Sequence, residues 1–401
     1  RMSSFPSCTW ERQLACDEAE LRRPGHSQVQ LGNEDIRCAI SFPVSREELA
    51  LDWRSFYRGF VEVFADSRPP SISRDGALAR VTLTVQPQLD EVEARIARQA
   101  AAFDPAIEGY VTYAIGSRGK RLRPLMALLS GGASGGITSG HIDLAVIVEL
   151  IHIATLVHDD IMDEAERRRA QPTVNARWGN SLSVLLGDCL FAQALNLSTN
   201  FDNAQISRVI ARAAREVCSG EIIQTQRRFD LHLAIPDYLR IVEMKTGSLF
   251  AAASELGAVI NGADAETTGA LKNFGSKIGA AYQIYDDCLD IAGNENEIGK
   301  TLGTDLRKGK MTLPILMLLR SAPAEERERY CELILSEKAG AIGELLTSDA
   351  PNGSLRASLD AGDESVREAQ AELHGLPSNP FTDSLFQLGD ALREMLDQLR
   401  A

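Results

Sequence analysis

Basic residues are in short supply: the 401-residue chain sets 42 Lys and Arg against 56 Asp and Glu, for a formal charge of -14 and a pI near 5.0. A general nucleic-acid binder neutralises phosphates with a basic surface, so this balance excludes that class and leaves only local basic clusters. Paired cysteines are also missing. The seven cysteines, Cys8, Cys16, Cys38, Cys189, Cys218, Cys288 and Cys331, are odd in number and form no Cys-x-x-Cys pair. That excludes a disulfide framework and a zinc site of the Cys type, and it points to a reducing, cytoplasmic compartment. No uncharged apolar run reaches the roughly eighteen residues of a membrane span. The best, Leu144 to Val157, is fourteen long and contains Glu149 and His152. Membrane contact is therefore expected to be peripheral at most, and the length is enough for one large domain or two ordinary ones.

Residues 1–80 have no lysine but eleven arginines, three of the seven cysteines and two of the three tryptophans; Lys120 is the first lysine. They lack the basic start and apolar run of a signal peptide, and they are too rich in acids for a transit peptide. One stretch, SREELALDWRSFYRGFVEVF (45–64), is predicted as an amphipathic helix opened by Ser45, with Glu48 completing a capping box. SRPPSISRDG then reads as a break. The segment 1–80 is treated as an extension without an assigned role, and the folded domain is expected from 85 to 401.

Strict alternation is scarce beyond residue 85, where nearly every segment spaces its apolar residues as a helix does. The fold class expected is all-α. Loops are marked by SGGASGGITSG (130–140), GNENEIG (293–299), SDAPNGS (348–354) and GLPSNP (375–380). The first of these is no phosphate cradle, because no strand precedes it and no lysine closes it; it is expected to be a flexible connection.

What the chain does have is Asp-Asp-x-x-Asp, twice: Asp159, Asp160 and Asp163, then Asp286, Asp287 and Asp290. The i, i+4 spacing puts the first and last carboxylates on one helical face, with the middle one on its flank. A single such cluster would read as a solvated helix face. Two of identical spacing, each following a strongly apolar stretch, read as carboxylates gathered for a hard cation such as Mg²⁺, which shares its shell with water and phosphate. Cations for that phosphate occur as Arg118, Lys120, Arg121 and Arg123, as Arg167 to Arg169, and as Lys245, Lys300 and Lys310.

Taken together, the two Asp motifs and GKRLRP, KTGSLF and GKTLGTDLRKGK, in this order, resemble the trans-isoprenyl diphosphate synthases, or polyprenyl synthetases. The likeness runs from about 85 to the end and is highly specific. It implies an isoprenoid-synthase-type helical bundle around a deep central cavity, with the two motifs facing each other across its mouth. Asp159, Asp160, Asp163, Asp286, Asp287 and Asp290 would hold Mg²⁺, about three ions per site. Arg168, Lys245, Thr246, Gln283, Lys300 and Lys310 match contacts to an allylic diphosphate. Lys120, Arg123, His152 and Arg169 match those to isopentenyl diphosphate. The catalytic set implied is Asp159, Asp160, Asp163, Arg168, Lys245, Asp286 and Lys300, which neutralise charge as the allylic C–O bond ionises. Ala170 departs from the glycine usual after the paired arginines, and Arg167 adds a charge before them. The resemblance also suggests a homodimer.

Product length should depend on what lies below the first motif. Thr155 and Ala154, four and five residues before Asp159, are small, and Ile151 and Val148 one turn further are aliphatic. The resemblance ties small residues here to medium or long products, octaprenyl-like, with geranylgeranyl or farnesyl synthesis as the alternative. The bland alternative is that they merely pack helix on helix. A class I terpene cyclase would not need Lys120, Arg123 and His152 for a second diphosphate. A non-catalytic subunit would be expected to lose an Asp motif or the basic residues, and an acidic scaffold has no reason to repeat the spacing.

Overall fold

Helices make up nearly all the regular structure in the residues that the computed structural model describes, namely 76–116, 119–168, 171–293, 303–336 and 353–400. The stretch 45–64, Arg118, Arg169, Ala170 and Lys300 lie outside them. In order, the helices are α1 (Gly76–Leu83), α2 (Gln86–Arg98), α3 (Pro105–Ile115), α4 (Leu122–Ser134), α5 (Ser139–Met162), α6 (Val174–Trp178), α7 (Asn180–Ser198) and α8 (Ala204–Gln226). They continue with α9 (Ile235–Val242), α10 (Ser248–Ile260), α11 (Ala265–Ala292), α12 (Thr304–Arg307), α13 (Leu313–Ser321), α14 (Ala324–Leu335), α15 (Ser354–Glu372) and α16 (Pro380–Gln398). The strands among the described residues are a two-residue ribbon, Arg167–Arg168 against Gln171–Pro172.

Two helices are buried on nearly every side. In α10, every residue from Leu249 to Ala258 is buried, and the helix packs on α4, α5, α8 and α11. Close approach is what its small residues permit. A side chain at Gly257 would stand 2.8 Å from the Ala127 carbonyl of α4, and one at Gly275 of α11 would stand 2.6 Å from the Phe250 carbonyl. The second helix is α5, wrapped by α2, α4, α7 and α10. Both α5 and α7 have the length and hydropathy of a membrane span, but the apolar window of α5 is 72% buried inside the bundle and that of α7 only 33%.

Two sequence expectations change. The helical domain begins before residue 85: α1 packs on α16 with Leu78 and Val81 buried, so the break before Gly76, and not residue 85, precedes the first packed turn. The Gly-rich stretch 130–140 is mostly not a loop. α4 continues through Ser134, and its Gly131 and Gly132 are buried because the rings of His141 and Phe381 take the space, each within 2.2 Å of where a side chain would start. The glycines there serve contact, not flexibility. The break at 375–380 is found where the composition places it, between a 3₁₀ turn at Leu373–Gly375 and α16.

His141 ties the start of α5 to the core. Its Nδ1 accepts from the Thr138 backbone N–H at 3.0 Å, completing the cap, and its Nε2–H donates to the Gly257 carbonyl at 2.9 Å. Burial holds its pKa below the ordinary histidine value, against the smaller upward pull of that carbonyl. The unfolded chain therefore takes up a proton before the folded one does. Stability is complete above about pH 6.5 and declines as the pH falls below that value. Thermal unfolding should show a steeper fall in Tm between about pH 7 and 5 for the wild type than for His141→Gln; parallel slopes would exclude His141 as the source.

Candidate active site

The first Asp cluster sits where α5 ends. Asp163 is the C-cap, and its N–H donates to the Asp159 carbonyl at 2.8 Å. A carboxylate at this end faces the negative pole of the helix dipole, so it needs counter-charge from outside. Lys310 Nζ lies 2.8 Å from Asp163 Oδ2, Lys308 Nζ 3.7 Å from the same oxygen, and Arg228 Nη2 3.2 Å from Oδ1. Burial works against ionisation, yet Lys310, Lys308 and Lys245 outweigh it and hold the Asp163 carboxyl below its usual range. Asp160 accepts from Arg168 Nε at 2.9 and 3.2 Å and from Nη2 at 2.9 Å. Burial nevertheless pushes Asp160 up, as it does Asp159, whose chief counter-charge is Lys245.

The second cluster lies near the end of α11. Asp290 accepts from the Thr304 hydroxyl at 3.0 Å and the Asp305 N–H at 3.1 Å, which anchors α12 directly beneath it. Lys310 then closes the gap, 3.4 Å from Asp305 Oδ1 while paired to Asp163. A path of contacts thus runs from Asp163 through Lys310 and Asp305 to Asp290, joining the two clusters that the sequence separates by more than a hundred residues.

Asp287 has partners inside the bundle. It is buried, with Oδ2 accepting from the Tyr238 hydroxyl at 2.5 Å and Oδ1 from Gln283 Nε2 at 2.9 Å. Burial, then the nearby Asp305 charge, raises its pKa to about 7. Each oxygen accepts one bond from the protein, so Asp287 anchors Tyr238 of α9 and Gln283 within the bundle. Gln283 in turn accepts from the Thr246 hydroxyl at 2.7 Å. Thr246 and Gln283, both expected at the diphosphate, are therefore bonded to each other.

Lys245 owes its position to an irregular turn. Residues Glu243–Gly247 form a π-helical segment between α9 and α10, a feature that often marks functional sites. α8 closes on it at Gly220, where a side chain would stand 2.7 Å from the Lys245 nitrogen. Lys245 Nζ pairs with Glu221 and donates to Gln224 Oε1 at 2.9 Å. Lys120 is exposed, whereas Arg123 lies with its guanidinium 4.7 Å over the Phe250 ring. His152 is half-buried on α5. Arg121, read from sequence as a phosphate cation, is corrected: its guanidinium is buried on Glu93 and Glu149. Ala154 and Ile151 are fully buried; Thr155 is half-buried and bonds back to the His152 carbonyl at 2.7 Å.

Sequence reasoning missed Arg228, Lys308, Glu221, Gln224 and Tyr238. Arg228 carries no spacing signal and reaches Asp163 only through the fold, whereas Lys308 lies within GKTLGTDLRKGK, two residues before Lys310. Among the described residues no three acidic, His or Cys side chains converge closely enough to hold a metal by themselves. That suits Mg²⁺, which takes one or two carboxylates and completes its shell with water and substrate phosphates.

An all-α bundle that confronts two aspartate clusters across a lysine and rings them with further cations is the architecture of an enzyme handling anionic phosphate substrates. The polyprenyl synthetase family model matches residues 104–346. Octaprenyl diphosphate synthase of Escherichia coli is 32% identical over 277 residues, covering 69% of this chain and 86% of that protein. Heptaprenyl diphosphate synthase component 2 of Bacillus subtilis is 34% identical over 300 residues, covering 74% and 85%. Among solved structures, a polyprenyl synthase of Caulobacter crescentus, complexed with calcium and isoprenyl diphosphate, superposes with a TM-score of 0.74 at 34% identity, covering 80% of this chain and 99% of that one. The chain belongs to the polyprenyl synthetase family of metal-dependent prenyltransferases and is a trans-isoprenyl diphosphate synthase.

Tyr238→Phe should leave the buried Asp287 carboxylate one donor short and destabilise the protein by about 1–3 kcal/mol at pH 8, where the group is ionised. A chemical-denaturation midpoint unchanged from wild type would show that Asp287 does not depend on that bond.

Proposed function

We propose that this chain condenses isopentenyl diphosphate head to tail with an allylic prenyl diphosphate to give a medium- or long-chain polyprenyl diphosphate, octaprenyl-like in length. The observation that carries the reading is the pair of Asp clusters joined through Lys310, with Lys245 and Arg168 directed at the first of them. Bound Mg²⁺, about three ions on Asp159, Asp163 and Asp286, would supply Lewis-acid charge to the allylic diphosphate. Lys245, Arg168 and Lys310 add fixed positive charge there and need little reorganisation, because each is already held by a carboxylate. Lys300 belongs to the same set by its motif. Lys120, Arg123, His152 and Arg169 hold isopentenyl diphosphate. The buried aliphatic residues of α5 below Asp159 keep water from the reacting carbons.

Chain length follows from the same helix. Thr155 shares its face with Asp159, whereas Ala154 shares the face of His158, whose ring lies 2.1 Å from where a side chain at Gly187 of α7 would start. Of the two small residues, Thr155 is therefore the one that borders the growing tail. Incubation with farnesyl diphosphate and isopentenyl diphosphate should give a Mg²⁺-dependent ladder ending in one dominant long product, and Thr155→Phe should move that end to shorter chains. Absence of any elongation by folded protein would reject the synthase reading; an unmoved ladder end would reject Thr155 as a length determinant.

The assembly proposed is a homodimer through α7. Its outer side shows Val184 (44% exposed), Leu185 (65%) and Leu195 (37%), with Ile222 of α8 (59%) also uncovered. Large aliphatic side chains exposed together on one helix are out of place on a monomer surface. Sedimentation velocity should give a dimer for the wild type and a shift towards monomer for Leu185→Glu; a monomeric wild type would overturn the assembly.

A further inference from the structure

Arg121 stands in the middle of the basic motif GKRLRP, yet it does not face the same way as its neighbours. Its backbone is left-handed, with φ 50° and ψ 36°, an uncommon conformation for a residue with a side chain. That conformation opens α4 and turns the guanidinium inward. Nη1 donates to Glu149 Oε1 at 2.5 Å, Nε to Glu93 Oε1 at 2.5 Å and Nη2 to Glu93 Oε2 at 3.1 Å. The Arg121 and Glu149 side chains are 8% and 4% exposed, so this fork is spent on protein carboxylates.

A buried ion pair is a poor source of stability, because desolvation of both charges offsets most of the attraction. What it can fix is register. Glu93 is on α2, Arg121 precedes the first turn of α4, and Glu149 is on α5, so one guanidinium fastens three elements together. The residues beside these anchors are the ones assigned to isopentenyl diphosphate. Lys120 comes immediately before Arg121 and Arg123 two residues after it, and His152 lies one turn beyond Glu149 on α5. Arg123 is itself lightly held: it rests over Phe250, and its buried Nε has no hydrogen-bond partner.

We propose that the Arg121–Glu149–Glu93 ion triad is a positioning device for the second diphosphate site. It sets Lys120 and Arg123 at a fixed distance from His152 without touching substrate itself. The inference rests on the reading that those three residues hold isopentenyl diphosphate. Lys in place of Arg121 keeps the charge but cannot span two carboxylates as a planar fork does.

Steady-state kinetics on Arg121→Lys and Glu149→Gln, with each substrate varied in turn, test it. The KM for isopentenyl diphosphate should rise about tenfold or more, the KM for the allylic substrate should stay within about twofold, and Arg121→Ala should be worse than Arg121→Lys. Equal rises in both KM values, or an unchanged isopentenyl KM with a lowered Tm, would overturn the proposal and leave a structural ion pair. Should the buried variants fail to fold, Glu93→Gln on the exposed rim of the triad carries the same expectation in milder form. Lys120→Ala separates the two layers. If it leaves the isopentenyl KM unchanged, the site assignment fails; if it raises that KM while Arg121→Lys does not, only the positioning role fails.

Discussion

Negative charge cannot be gathered at the ends of buried helices without positive charge brought from elsewhere in the chain. Asp159, Asp160 and Asp163 close α5 against its own dipole, and Asp286, Asp287 and Asp290 crowd the end of α11. Much of the surrounding structure can be understood as the supply of compensation. Arg168 returns on a short ribbon to Asp160, Arg228 arrives from the end of α8, and Lys308 and Lys310 come from the loop after α12. Without these cations the clustered carboxylates could not all stay charged at one end of the bundle.

The two aspartate motifs, identical in spacing, are not used alike. In the first, each carboxylate faces a mobile type of partner, a Lys or Arg side chain. In the second, Asp287 and Asp290 are held by Tyr238, Gln283, Thr304 and backbone N–H groups, and so serve to lock α9 and α12 to α11. That division leaves Asp286 as the outward carboxylate of its cluster. Repetition in sequence is thus a guide to where a site is, and a weaker guide to what each member does.

Much of this was legible beforehand because it depended on short-range periodicity. Helical spacing of apolar residues announced an all-α fold, and i, i+4 carboxylates on apolar helices announced the site. What escaped depended on contacts between distant segments. The glycines at 131 and 132 look like a loop until the rings of His141 and Phe381 are brought against them. Arg121 looks like a substrate cation until Glu93 and Glu149, each 28 residues away, converge on it. Arg228 and Tyr238 had no local pattern to mark them. Composition gave α1 no distinguishing feature either, since two turns of helix after a Pro- and Ser-rich break become significant only when α16 lies alongside.

The π-helical turn at Glu243–Gly247 has a bearing on how this region can change over time. A π turn holds one more residue than an α-helix needs. Losing one residue between Glu243 and Gly247 would close this wide turn to an ordinary α turn and leave α10 facing nearly as it does now. Gly257 would keep its place against Ala127 of α4, and the change would fall on the turn itself, where Lys245 stands. The extra residue therefore sets where Lys245 and Thr246 stand without disturbing the packing of the helices on either side. A change of length here would be absorbed by the fold and felt at Lys245.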